Sequence, residues 1–262
     1  MSAVLQVLVA LLTAAVVMGA TAAVSRRLDR VAVVDVAWGI SSVAMSVVLA
    51  VLWPDAHSWL LAALVTVWGG RLAWHIARRS RGHGEDPRYE KMLGGPGWTS
   101  GAAHVVTRVF LTQAVVALLI SAPLQVAAAY DVRWWPVVWA GAAVWALGLF
   151  FEVVGDAQLE AYKTKPRESR PRILDTGLWG WTRHPNYFGD ACVWWGLWIA
   201  GALALGWLPG LLTVWAPAAM TFFVRNVTGA KLLERTMSQR PGWDEYAARV
   251  PLFVPRPPRH PR

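Results

Sequence analysis

The sequence predicts an all-α, polytopic membrane protein of about seven transmembrane helices, with its N-terminus outside and its C-terminus in the cytoplasm. Three observations predict it. Apolar residues make up 56% of the 262, charged residues only 16%, and 18 are Trp. Several apolar runs reach about 20 residues, each long enough to cross hydrocarbon as a helix. The net charge of +9 gathers in alternate loops, which is how a cytoplasmic membrane face is marked. A charge so distributed gives no reason to expect nucleic acid as a partner. The single cysteine, Cys192, excludes an internal disulfide framework and a Cys-rich metal site. No metal-ligand spacing, repeat or phosphate-binding glycine loop is present.

The first apolar run covers residues 3–24. Its Ala20-Thr21-Ala22 resembles a signal-cleavage site, but no Lys or Arg precedes the run, whereas Arg26, Arg27 and Arg30 follow it. A secretory signal normally starts positive, so the run reads as a first span with an outside N-terminus. The second span, 32–52, carries Asp35 near its cytoplasmic end. An acid there faces a protein interior or a water-filled cavity, or pairs with Arg30 or Arg71. The third span, 58–77, places Arg71 and His75 four apart, on one helical face. His75 is a proton-handling candidate because imidazole titrates near neutrality; an interfacial position is the alternative.

The loop after it holds Arg78, Arg79, Arg81, Glu85, Asp86, Arg88, Tyr89 and Lys91, and Gly94-Gly95-Pro96-Gly97 ends any helix there. Span four, about 103–127, includes Arg108 and Gln113. Span five, about 134–155, ends in Glu152, Asp156 and Glu160, an acidic ridge at i, i+4 spacing that either pairs with the basic loops or holds ligand hydroxyls. Residues 156–187 form the longest polar segment, with Lys163, Lys165, Arg167, Arg170 and Arg172. Spans six and seven, about 188–206 and 208–226, are joined by a very short turn at Pro209. The chain closes on a polar stretch with Lys231, Glu234 and Arg235, then Trp243 to Pro251. A basic, proline-rich tail follows from Pro255 to Arg262, expected to be extended and drawn to anionic lipid.

One stretch stands out at the entry to span six: Gly177-Leu-Trp-Gly-Trp-Thr-Arg-His-Pro-Asn-Tyr-Phe-Gly-Asp190. Arg183 offers a planar fork of donors for phosphate or carboxylate. His184 and Tyr187 exchange protons or donate hydrogen bonds, and Asn186 does both through its amide. Pro185 suits a first helical turn, and Asp190 shares a helical face with Asn186 and Tyr187. An interfacial anchor of Arg, His, Trp and Tyr at headgroup level is the plain alternative. The cytoplasmic loops 78–102, 156–187 and the tail 227–262 hold many guanidinium groups besides. Such a set suits a large anionic cofactor with an aromatic and a ribose part, gripped through bidentate Arg–phosphate bonds.

The motif Leu178–Asp190 resembles the C-terminal signature of the steroid 5-alpha-reductase and sterol-reductase superfamily, and the chain is similar to its DUF1295 branch. The likeness extends through Asp35-Val-Ala-Trp38, Trp68-Gly-Gly-Arg-Leu72, Arg88-Tyr89 and the closing Tyr246 to Pro251. It implies a single integral membrane reductase domain over residues 1–262, in a bacterial-type inner membrane. Such a domain binds NADPH on the cytoplasmic side and passes hydride to the beta carbon of a lipophilic enone. Carried over residue by residue, Asp35, His75 and Tyr89 are the expected catalytic groups. Lys165, Arg183, His184, Asn186, Tyr187, Asp190, Asp156, Glu234 and Tyr246 are the expected cofactor-binding ones. Two departures stand out. Asp35 follows Val34 where the steroid reductases have a glutamine beside their acid. Their third-span tyrosine is replaced around Trp74-His75-Ile76, so His75 or Tyr89 is the substitute. Isoprenylcysteine carboxyl methyltransferases share an Arg-His-Pro-x-Tyr-x-Gly motif and bind S-adenosylmethionine, which makes a membrane methyltransferase the rival enzyme; a non-catalytic lipid carrier or transporter is the rival outside enzymes.

Overall fold

The computed structural model describes residues 3–257, and these contain helices, turns and extended segments but no strand. Among the described residues, seven helices are long and apolar enough to cross a membrane: Ala3–Leu28, Val33–Leu52, Ala56–Ser80, Ala102–Ile120, Trp135–Thr164, Pro185–Leu205 and Trp207–Met237. Their number and order are those expected from the apolar runs. Of the expected tail, residues 255–257 have no regular secondary structure, and the remainder lies outside the described residues. The chain divides into two compact units, one running to Trp135 together with Gly201–Thr213, the other comprising Pro136–Ala200 and the chain from Val214 on.

The first unit is built on helices α1 (Ala3–Leu28), α2 (Val33–Leu52) and α3 (Ala56–Ser80). Helices α2 and α3 cross at Gly39 and Gly69, where a Cβ on Gly69 would sit 2.8 Å from the Gly39 carbonyl oxygen. Small residues let helix backbones approach closely where apolar lipid supplies no hydrophobic drive to pack. Asp55 starts α3 as its N-cap, accepting from the Ser58 amide at 2.7 Å. A short helix follows in the next loop, α4 (Pro87–Leu93), which ends on Gly94 in the left-handed conformation, φ 76°. Helix α5 (Ala102–Ile120) is wound as a π-helix over Val106–Leu111. It stops short of the expected end because Pro123, which has no N–H to give the preceding turn, opens a separate helix α6 (Ala122–Ala127). The Gln125 amide donates to the Leu118 carbonyl at 2.8 Å across that break.

The second unit is organised by α7 (Trp135–Thr164) and α8 (Pro185–Gly201). Gly141, Gly148 and Gly155 recur every seventh residue along α7 and meet Gly196, Gly189 and Pro185 of α8. A Cβ on Gly148 would sit 2.6 Å from the Gly189 carbonyl oxygen, and one on Gly196 2.7 Å from that of Gly141. The seam brings α7 and α8 into backbone contact, which sets Asp156 beside the start of α8. Beyond it come α9 (Trp207–Thr213), which belongs to the first unit, then α10 (Trp215–Phe222), a π-wound turn at Phe223–Val227, α11 (Ala230–Met237) and α12 (Trp243–Arg249).

Candidate functional site

In the first unit, the loop after α3 is fastened to the start of α2. A helix N-terminus leaves backbone N–H groups without intrahelical partners, and Ala32 offers no side-chain cap to its own helix. The Glu85 carboxylate fills that role from the loop, accepting from the Val31 amide at 2.5 Å and the Ala32 amide at 2.9 Å. The next residue, Asp86, caps α4 by accepting from the Arg88 amide at 2.8 Å, with Pro87 in the first helical position. Two successive acids therefore cap two different helices. A second tie comes from Asp29, whose carboxylate accepts from the Trp98 amide at 3.2 Å, while the Trp98 indole donates to Ser25 at 3.1 Å.

This fixing lays α4 against the first turn of α2. The Tyr89 hydroxyl donates to Asp35 Oδ1 at 2.5 Å, and Arg88 Nη2 donates to Asp35 Oδ2 at 2.9 Å. Arg88 also grips Asp86 through Nε and Nη2, at 3.1 and 2.8 Å, so one guanidinium bridges both carboxylates. Tyr89 is buried at 8% exposure, while the Arg88 side chain is half exposed. Burial raises the Tyr89 phenol well above its ordinary pKa, helped by the Asp35 charge and by the hydrogen bond to it. Burial would also raise Asp86, but the bonds from Arg88 outweigh it and hold that carboxyl below its ordinary value. His75, the other expected catalytic group, lies half-buried near the end of α3.

In the second unit the Arg183 guanidinium turns inward. Nε and Nη2 form a fork on Glu234 at 2.7 and 3.2 Å, and Nη1 donates to the carbonyls of Ala247 and Val250 at 2.9 and 3.1 Å. Its ring neighbour is Trp243, 5.7 Å from the guanidinium carbon. The buried His184 lies 3.2 Å through Nε2 from the same Glu234 and stacks on Tyr187 at 5.7 Å. Thr182 donates to the Phe253 carbonyl at 2.8 Å, and the Tyr246 hydroxyl donates to the Trp179 carbonyl at 2.7 Å. Burial pushes the Tyr246 phenol above its ordinary pKa. Arg183, His184, Glu234 and Tyr246 thus act as one brace that binds the motif to the closing segment.

The remaining expected residues occupy a different place. Asn186 Nδ2 donates to Asp156 Oδ1 at 3.2 Å across the α7–α8 seam, and its Oδ1 accepts from the Tyr187 amide at 3.1 Å. Asp190 is half-buried one turn further along α8, and Lys165 is exposed just past the end of α7. In the sequence Glu85 and Asp86 stand out only as members of a charged loop, and Arg88 as one of these and as part of the Arg88-Tyr89 likeness. The signal that marks Asp86 was present, an Asp followed by Pro ahead of a helical run. Nothing local marks Glu85, because the amides it caps are more than fifty residues away in the chain.

A model for one family, described as "Protein of unknown function (DUF1295)", matches residues 21–250, and the chain belongs to that family. No curated protein and no solved structure matches the chain.

Proposed function

From that membership and these two clusters, we propose that the chain is a membrane-embedded, NADPH-dependent reductase acting on an activated carbon–carbon double bond of a lipophilic enone of steroid, sterol or terpenoid type. The observation that carries the reading is the Tyr89–Asp35 hydrogen bond, held from its other side by Arg88. NADPH, when bound, supplies a hydride to the beta carbon. Negative charge then develops on the carbonyl oxygen, and a donor must meet it there. Tyr89 suits the task because its burial and the neighbouring Asp35 charge keep the phenol protonated. Asp35 holds the hydroxyl in place, and rotation about the phenol C–O bond turns its proton from Asp35 to the substrate oxygen. The enol so formed relaxes to the saturated carbonyl compound, and water at the exposed edge of Arg88 returns a proton to Tyr89. One hydride and one proton are added across the double bond.

The donor set for the cofactor sorts into two roles. Asp156 and Asn186 suit ribose hydroxyls, Tyr187 an aromatic face, Asp190 a further hydrogen bond, and the exposed Lys165 a phosphate. Arg183 and His184, engaged by Glu234, are positioning residues in this account. The cofactor face is the cytoplasmic one, where the positive loops lie. The methyltransferase reading leaves the Asp35–Tyr89 pair without a task, since methyl transfer from S-adenosylmethionine places no charge on an acceptor carbonyl. Reconstituted protein given NADPH deuterated on the nicotinamide ring and a panel of steroid and terpenoid enones tests the proposal. The expected product carries one deuterium at its beta carbon. Methylation by labelled S-adenosylmethionine with no enone reduced would overturn it.

A further inference from the structure

The second unit contains a groove of about 510 Å³, lined by residues of α8, the last span and the closing segment. Its size falls within the ~300–1,000 Å³ usual for sites that take a small molecule. It is a built feature. The Trp195 indole donates to Thr221 at 3.0 Å and joins α8 to α10. The closing wall is fixed by Thr182 on the Phe253 carbonyl and by the Arg256 amide on the Trp181 carbonyl at 2.9 Å. Phe188 meets Phe253 edge to face, ring centres 6.1 Å apart.

This groove is separate from the cofactor residues. At about 100° per residue, Asn186 and Asp190 share one face of α8, whereas Phe188, Ala191 and Trp195 share the opposite one. The walls are apolar, yet two guanidinium groups, Arg225 and Arg256, belong to the lining and no acid does. Both are exposed. Phe188, Ala191, Trp195 and Thr221 stand on helices long and apolar enough to cross a membrane, so the apolar wall suits a component of the bilayer.

We infer that this groove is a binding site for an anionic membrane phospholipid, its acyl chain against Phe188, Trp195 and Phe253 and its phosphate on Arg225 and Arg256. The inference does not depend on the reductase reading. Basic groups at a membrane surface attract anionic lipid, so the pair predicts a preference of roughly tenfold or more over a zwitterionic lipid.

The only cysteine of the chain, Cys192, lines the same groove and reports on it. Full-length protein is placed in phosphatidylcholine vesicles with or without phosphatidylglycerol, and N-ethylmaleimide labelling of Cys192 is followed by intact mass. The expected result is labelling slowed about tenfold by phosphatidylglycerol, with the protection lost in the R225Q/R256Q double variant. Native mass spectrometry of the wild-type protein, which depends on no variant folding, should show phosphatidylglycerol retained over phosphatidylcholine. Equal labelling in both vesicles, equal retention of both lipids, or protection that survives the double variant would overturn the inference. Oleate protecting as well as phosphatidylglycerol would overturn the assignment to a phospholipid. NADPH protecting in phosphatidylcholine alone would make the groove part of the cofactor site and overturn the inference while sparing the reductase reading.

Discussion

The Tyr89 hydroxyl and the Asp35 carboxylate lie 2.5 Å apart, oxygen to oxygen, although 54 residues separate them in the chain. The pairing depends on Glu85, which fastens the loop carrying Tyr89 to the amides at the start of the helix carrying Asp35. A hydrogen-bonded Tyr–Asp pair is thereby assembled from a membrane-spanning helix and the loop after α3.

If Tyr89 supplies the proton, Tyr89→Phe removes the donor and keeps the ring. Turnover should fall on the order of 10²–10⁴-fold, the usual worth of a positioned general acid, with NADPH affinity near that of the wild type. Asp35→Asn should cut turnover as well, because the phenol loses the acceptor that holds it. Single-turnover NADPH oxidation with an enone substrate measures both. Full activity in Tyr89→Phe would return His75 to the role of donor.

The two raised phenols predict how stability depends on pH. Tyr89 and Tyr246 keep their protons in the folded protein, chiefly through burial, at pH values where an unfolded chain releases them, near the ordinary value of 10.0. Above that value the folded state binds more protons than the unfolded one, so stability falls as pH rises and is fully present below it. Each group contributes a slope of about 1.4 kcal/mol per pH unit at most. Chemical unfolding in detergent between neutral and alkaline pH should show this loss, and Tyr89→Phe should make it shallower.

Arg183 is expected to act on the closing segment. Arg183→Ala leaves Glu234 without its fork and frees the Ala247 and Val250 carbonyls, a loss on the order of 3 kcal/mol for a mostly buried pair. Limited proteolysis should then cut within residues 238–257 faster than in the wild type. Arg183→Lys should restore little, since an ammonium cannot reproduce the planar fork. Unchanged cleavage together with weakened NADPH binding would favour a direct contact with phosphate.

Much of this architecture is legible in the sequence, for physical reasons. A span announces itself through some twenty adjacent apolar residues, and the motif at Arg183–Asp190 through the cost of placing so many polar groups at the start of an apolar helix. The partners of those groups are not legible. Arg183 reads as a phosphate ligand because its fork suits phosphate, yet Glu234, 51 residues on, offers the same geometry. Arg88 carries part of the likeness with Tyr89, but its partners Asp86 and Asp35 are not legible, because the bridge to Asp35 exists only once α2 and α4 are brought together. Span four reads as running on past Ser121 because apolar composition continues across Pro123 while helical hydrogen bonding does not.

Glu85 offers a test of how the Tyr89–Asp35 pair is assembled. Glu85→Ala strips two amides of their cap, which costs about 0.5–2 kcal/mol by analogy with ordinary N-caps, and releases the loop that presents Tyr89. A lowered unfolding temperature with turnover reduced beyond what the remaining folded fraction explains is expected, and Glu85→Gln, which keeps one acceptor, should fall between.

Equilibrium binding to the purified wild-type protein decides whether this chain takes NADPH as the proposed reductase must. Titration of NADPH and of S-adenosylmethionine, each followed by isothermal calorimetry in the same detergent, should give saturable binding of NADPH alone, weakened in Asn186→Ala by about two- to tenfold, the worth of one neutral hydrogen bond. Saturable binding of S-adenosylmethionine with none of NADPH, or of neither, would contradict the account.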